Sequence, residues 1–91
     1  MDEQKNRKCL EILEEVLRNN IPEGHYCLNG YSEESCCIEK EGEKYIFYIG
    51  ERNQKKDLIR FDNALEACLK LLNELSYLKS DVKNIYLEAL L

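Results

Sequence analysis

Two short apolar runs followed at once by a helix-periodic stretch limit the fold more than anything else in this chain. The runs are Tyr45-Ile46-Phe47-Tyr48-Ile49-Gly50 and Asp57-Leu58-Ile59-Arg60-Phe61. β-Branched and aromatic residues dominate both, which favours strands. The polar segment between them, Glu51 to Lys56, is too short for another element and reads as a turn. A helix opens at Asp62-Asn63, with apolar residues at 65, 68, 69, 72 and 75, a period near 3.6. A hairpin followed directly by an amphipathic helix is the smallest unit here that can bury two apolar faces against each other.

The remainder completes that layer pair. Residues 2 to 19 read as a helix with Cys9, Ile12, Leu13, Val16 and Leu17 as its stripe. Asp2 and Glu3 suit its positive N-terminus, and Asn19-Asn20 and Pro22 end it. Gly24 allows a turn into a short strand, His25 to Asn29, and Asn29-Gly30 signals another turn. Tyr31 to Glu34 is either a loop or the start of the next strand. Ser35 to Lys40 alternates, with Cys36 and Ile38 as the buried face, and Glu41-Gly42 makes a tight hairpin. The strand from Tyr45 is apolar on both faces. It is therefore central and partly covered, or one of its faces is an interaction surface.

Asn63 and Glu66 have capping-box spacing, with Asp62 as an alternative cap, and the helix is expected to run to about Leu78. Ser80-Asp81 caps a last helix with Val82, Ile85, Tyr86, Ala89 and Leu90 in its stripe. The expected fold is α+β and two-layered, in the order α-β-β-β-β-α-α. It has a four-stranded antiparallel meander with the helices on one face.

With 91 residues the chain makes a single domain, 1–91, with room for one core but not for a deep active site plus a lid. The longest apolar run is about five residues, so no membrane span is expected. Met1 to Lys8 lacks the apolar region of a secretory signal. The five cysteines, at 9, 27, 36, 37 and 68, are odd in number and contain no CxxC. Free thiols in a reducing, cytoplasmic setting are the expectation. Cys9, Cys36 and Cys68 read as core thiols, and Cys37, on the opposite face, as exposed.

The net charge of −5 is unevenly spread. From Glu23 to Glu51, seven acidic residues stand against Lys40 and Lys44. From Arg52 to Arg60, four basic residues stand against Asp57 alone. Such a chain is a poor nucleic-acid ligand, since phosphate binding needs a net basic surface. A basic protein suits it better, because complementary fields steer association.

Catalytic groups are sparse. His25 and Cys27 form the one His-Cys neighbour pair, and catalysis would need a base in reach of the thiol and a third group to orient it. Cys36 and Cys37 point to opposite faces of a strand, a poor chelating arrangement, and no metal or cofactor is expected. The carboxylates at Glu33-Glu34 and at Glu39, Glu41 and Glu43 read as solvated, not as hydrolase acid and base. They are, however, interleaved with tyrosines, which supply large contact areas with a polar tip. Glu51-Arg52 reads as an ion pair pinning the turn, with a partner-facing role as the alternative.

One resemblance bears on this. Tyr48-Ile49-Gly50-Glu51-Arg52-Asn53, Asp57-Leu58-x-x-Phe61 and Glu66-Ala67-Cys68 with Leu71-Leu72 resemble a family of small immunity proteins of bacterial polymorphic toxin systems, the type named immunity protein 59. Tyr26-Cys27-Leu28-Asn29-Gly30 and Cys37-Ile38-Glu39 also look similar, and Asn53 stands where the pattern has a glycine. The resemblance spans residues 26 to 75. It implies a cytoplasmic, non-enzymatic antitoxin that neutralises a cognate toxin domain, often a nuclease, with no catalytic residue to carry over.

The expectation is thus a monomer or weak homodimer that blocks a basic toxin domain through Tyr31, Glu33, Glu34, Glu39, Glu41, Glu43 and Tyr45. The alternatives are a small structural or regulatory homodimer, or a cytosolic enzyme using Cys27 or Cys37.

Overall fold

A computed structural model describes residues 3–91; the expected helix position of Asp2 lies outside the described residues. Seven elements follow in order: α1 (Glu3–Asn20), β1 (Tyr26–Cys27), β2 (Cys36–Glu41), β3 (Lys44–Glu51), β4 (Gln54–Phe61), α2 (Ala64–Leu75) and α3 (Val82–Leu90). The α+β order is the one read from the sequence. The strands lie side by side as β1-β2-β3-β4.

The sheet is mixed, not wholly antiparallel. β1 runs parallel to β2, pairing Tyr26 with Cys36 and Cys27 with Cys37. Asn29-Gly30 does not close a hairpin. Instead residues 28–35 form a loop that carries the chain back to re-enter beside β1 in the same direction. Parallel strands normally need a longer crossover. A short one suffices here because β1 is only two residues long, so little distance must be retraced.

The other two connections are tight. Between β2 and β3, Gly42 alone takes a positive φ, +63°, the pattern of a type II′ turn. Between β3 and β4, Arg52 and Asn53 both lie in the left-handed region, at +53° and +63°. That is the type I′ pattern, for which asparagine substitutes acceptably for glycine. The polar segment expected to be a six-residue turn is therefore mostly strand: Gln54, Lys55 and Lys56 pair with Glu51, Gly50 and Ile49. Strand residues at an open edge face water and can be polar, which hid the start of β4. A bulge opposite Tyr48 absorbs one extra residue in β4, with Asp57 at φ +55°.

α2 packs directly on β2, β3 and β4, and α1 and α3 pack on α2 and on each other. The core between helices and sheet holds Leu13, Leu17, Ile38, Tyr45, Phe47, Cys68, Leu71, Leu72 and Tyr86. Asn63 caps α2 by accepting the Glu66 amide at 2.9 Å. A second free amide of that helix end, on Ala64, donates to buried Asn6 of α1 at 3.0 Å. Two of the unpaired donors that every helix N-terminus leaves are thus satisfied, one from another helix. α2 ends three residues before the expected Leu78, at Leu75 with Ser76 as its C-cap. Asp81 occupies the N-cap position of α3 without a side-chain cap bond.

Candidate functional site

The helices cover one face of the sheet. The other, outer face carries Cys37, Glu39 and Glu41 from β2, Ile46, Tyr48 and Gly50 from β3, and Lys55, Leu58 and Arg60 from β4. No helix residue belongs to the small apolar cluster there, which is built on Cys37, Ile46 and Tyr48 with Cys27 and Leu58 against it. All three central residues are nevertheless buried. What covers them is the loop 28–35 and a set of long charged side chains.

The loop is fastened at Gly50. The Glu34 amide donates to the Gly50 carbonyl at 2.7 Å, and the Gly50 amide donates to the Ser35 carbonyl at 3.0 Å. A Cβ at Gly50 would stand 2.2 Å from the Ser32 carbonyl oxygen and 3.1 Å from the Tyr31 ring. Glycine is therefore needed for this close approach. The Tyr31 ring stacks on Tyr48, with centroids 6.1 Å apart and planes inclined by 18°. The Tyr31 hydroxyl donates to Glu33 at 2.6 Å, and the Glu33 carboxylate also accepts the amides of Arg52 and Asn53. These hydrogen bonds, that from Tyr31 foremost, hold the Glu33 carboxyl below its usual range. Burial and the bond to Glu33 push Tyr31 up.

The charged cover spans three strands. Glu39 accepts from the buried Tyr48 hydroxyl and pairs with Lys55 at 3.5 Å, while the Lys55 ammonium sits 5.0 Å from the Tyr48 ring centre. Burial foremost, then the bond to Glu39, raises the Tyr48 hydroxyl far above the ordinary tyrosine range. Glu41 pairs with Arg60 at 2.7 Å. The acidic first half and basic last strand noted in the sequence thus flank β3 and neutralise each other across it. Lys55 thus lies over the apolar Tyr48 ring beneath it, as amphipathic side chains do.

Several expected roles change accordingly. Tyr45 is buried in the core on the helix side, so it does not share a surface with Tyr31. Strand alternation puts it with Phe47, and both faces of β3 are apolar enough that the pattern alone could not assign sides. Glu33 holds the β3–β4 turn; Glu51 pairs with Lys56 at 3.8 Å instead of with Arg52. Cys37 is buried, not exposed. The loop folds over it, and its thiol donates to the carbonyls of Ser32 and Ser35 at 3.7 and 3.5 Å. Glu34 and Glu43 are exposed and make no ion pair among the described residues.

Sequence reasoning missed Gly50, Asn6, Lys55 and Arg60 as organising residues. The one hint was a glycine in an otherwise bulky strand, which often marks close backbone approach.

The catalytic candidates are not drawn together. The His25 ring makes no hydrogen bond to Cys27, and no cluster of three metal-ligating side chains occurs among the described residues. Burial pushes the Cys36 thiol up to about 11 and the Cys68 thiol up to about 12, away from nucleophilic character at neutral pH. No helix among the described residues is long and apolar enough to cross a membrane. No protein-family model matches the chain, and no curated protein or solved structure is significantly similar to it.

Proposed function

We propose that this protein is an inhibitor of the immunity-protein kind, which binds a basic toxin domain and blocks it stoichiometrically. The observation that carries the reading is Tyr31. The residue is 36% exposed, yet its ring is held by the stack on Tyr48 and by its bond to Glu33. A rigid aromatic presented on a fastened loop loses little freedom on binding, which makes it a good interface anchor. The net charge of −5 favours a basic partner, and of the five glutamates expected at the contact, Glu34 and Glu43 make no ion pair among the described residues and are available to meet it. Glu39 and Glu41 serve the sheet itself in this reading, so the expected contact set reduces to Tyr31 and Glu34 at one end of β3 and Glu43 at the other.

The test is co-expression with the protein domain that the adjacent gene encodes, followed by co-purification and, where that domain is toxic, by growth protection. A stoichiometric complex that weakens on Tyr31→Ala supports the reading. Unchanged binding and protection in a Tyr31→Ala, Glu34→Lys, Glu43→Lys variant overturns the surface, and failure of the wild type to bind overturns the function.

A homodimer is the second reading. It is favoured by the exposed apolar side chains of Tyr77 and, on α3, Leu87. Light scattering on the isolated protein separates the two, since a tight dimer at micromolar concentration points to this alternative.

A further inference from the structure

We propose that Cys27 and Cys37 form a reversible oxidation site, closing a disulfide between β1 and β2 when the protein meets a peroxide. The proposal goes beyond the inhibitory reading and does not depend on it. The two cysteines are register partners on parallel strands. Adjacent strands lie about 4.8 Å apart, within the roughly 4.4–6.8 Å separation of Cα atoms that a disulfide spans. Both side chains belong to the outer-face cluster with Ile46 and Tyr48. Cys27 is also among the charges that disfavour a Cys37 thiolate, after burial, which places the two sulfurs in each other's field. β1 is a two-residue edge strand, so it can adjust to the bridge without disturbing the rest of the sheet.

The other thiols are placed elsewhere. Cys36 faces the helices, as do Cys9 and Cys68. All five are reduced in this structure.

The chemistry divides between the two residues by access. Cys27 is half-buried and Cys37 fully buried. The Cys27 sulfur attacks one peroxide oxygen. The O–O bond breaks, an S–O bond forms, and the departing oxygen leaves as water after taking the thiol proton. The Cys37 sulfur then attacks the sulfenic sulfur of Cys27. The S–O bond breaks, the S–S bond forms, and a second water leaves with the Cys37 proton. Two thiols are oxidised and one peroxide is reduced to two waters. The link closes the loop 28–35 into a ring, and that loop carries Tyr31 and Glu33.

The experiment is treatment of the folded full chain with hydrogen peroxide, then alkylation, cleavage with a glutamyl endopeptidase and mass spectrometry. The expected product has lost two hydrogens and keeps three alkylable cysteines. Its fragments on either side of Glu33-Glu34 are joined from Cys27 to Cys37, and dithiothreitol releases them. Cys36→Ser keeps the link and Cys27→Ser, at a half-buried position, abolishes it. Five alkylable thiols after treatment, a link to Cys36 or a covalent dimer through Cys27 overturns the proposal.

Discussion

The Tyr31 hydroxyl donates to Glu33 at 2.6 Å, and the same carboxylate reaches the amides of Arg52 and Asn53 on the far side of β3. One acidic side chain therefore ties the loop 28–35 to the β3–β4 turn. Because these bonds favour the ionised form, Glu33 is held below its ordinary range. A carboxyl depressed in the folded state contributes stability above its unfolded pKa and loses it as pH falls through the folded value. The Arg52 and Asn53 amides should therefore exchange faster as pH drops below the usual glutamate range, after correction for intrinsic exchange. Glu33→Gln should remove that pH dependence, which amide exchange followed by NMR reads directly.

Gly50→Ala tests the fastening of the loop. The new methyl would meet the Ser32 carbonyl, a backbone atom that cannot swing aside. A loss of about 1–3 kcal/mol is expected from overpacking, measured by denaturant unfolding. Gly42→Ala makes a useful contrast. Nothing lies within 4 Å of its new Cβ, but φ is +63°, so its cost of about 1–2 kcal/mol arises from the left-handed backbone alone. Only the Gly50 variant should perturb Tyr31 resonances.

The start of α2 offers a comparison between two asparagines. Asn63→Ala removes an exposed cap and should cost about 1 kcal/mol. Asn6→Ala leaves the Ala64 amide without its partner in a buried place and should cost about 1–3 kcal/mol. Asn6→Asp keeps the acceptor and should recover part of that loss. Thermal and chemical denaturation of the three variants give the order.

The pair Glu41–Arg60 is suited to a double-mutant cycle. Both side chains are about half exposed, so the coupling should be small, about 0.2–1 kcal/mol. It should shrink further in high salt. The exchanged variant, Glu41→Arg with Arg60→Glu, should be more stable than either single reversal, which equilibrium unfolding would show.

Much of the architecture was legible because it rests on local chemistry. The helical period of α2, the Asn63 cap and the Gly42 turn each follow from residues within one or two turns of chain, although the buried line of α2 runs through Ala64, Ala67, Cys68, Leu71, Leu72 and Leu75, with Leu65 and Leu69 only partly covered. The parts that were not legible depend on distant partners. Gln54-Lys55-Lys56 looks like loop until Glu51, Gly50 and Ile49 are set opposite. The parallel entry of β2 hangs on a strand of two residues, too short to leave a pattern. The side of the sheet on which Tyr45 falls could not be read from a strand that is apolar on both faces. The carboxylates of Glu39 and Glu41 looked available because their cations, Lys55 and Arg60, lie sixteen and nineteen residues away. For the same reason the residues first grouped as one contact surface are divided between a turn clamp, a charged cover and the core.

The bulge at Asp57 has a consequence for the molecule's behaviour among its own copies. β1 is two residues long and covers only the start of β2, so β4, at eight residues, is the longest border along which another sheet could add a strand. A matching strand would need eight residues of regular spacing there. Asp57 interrupts that spacing with a left-handed residue, and in an end-to-end antiparallel pairing of two such edges Lys55 would meet Arg60 of the other copy. Such irregular, charged borders are how β-proteins avoid edge-to-edge aggregation. The same extra residue that bends β4 around Tyr48 thus keeps the sheet from growing.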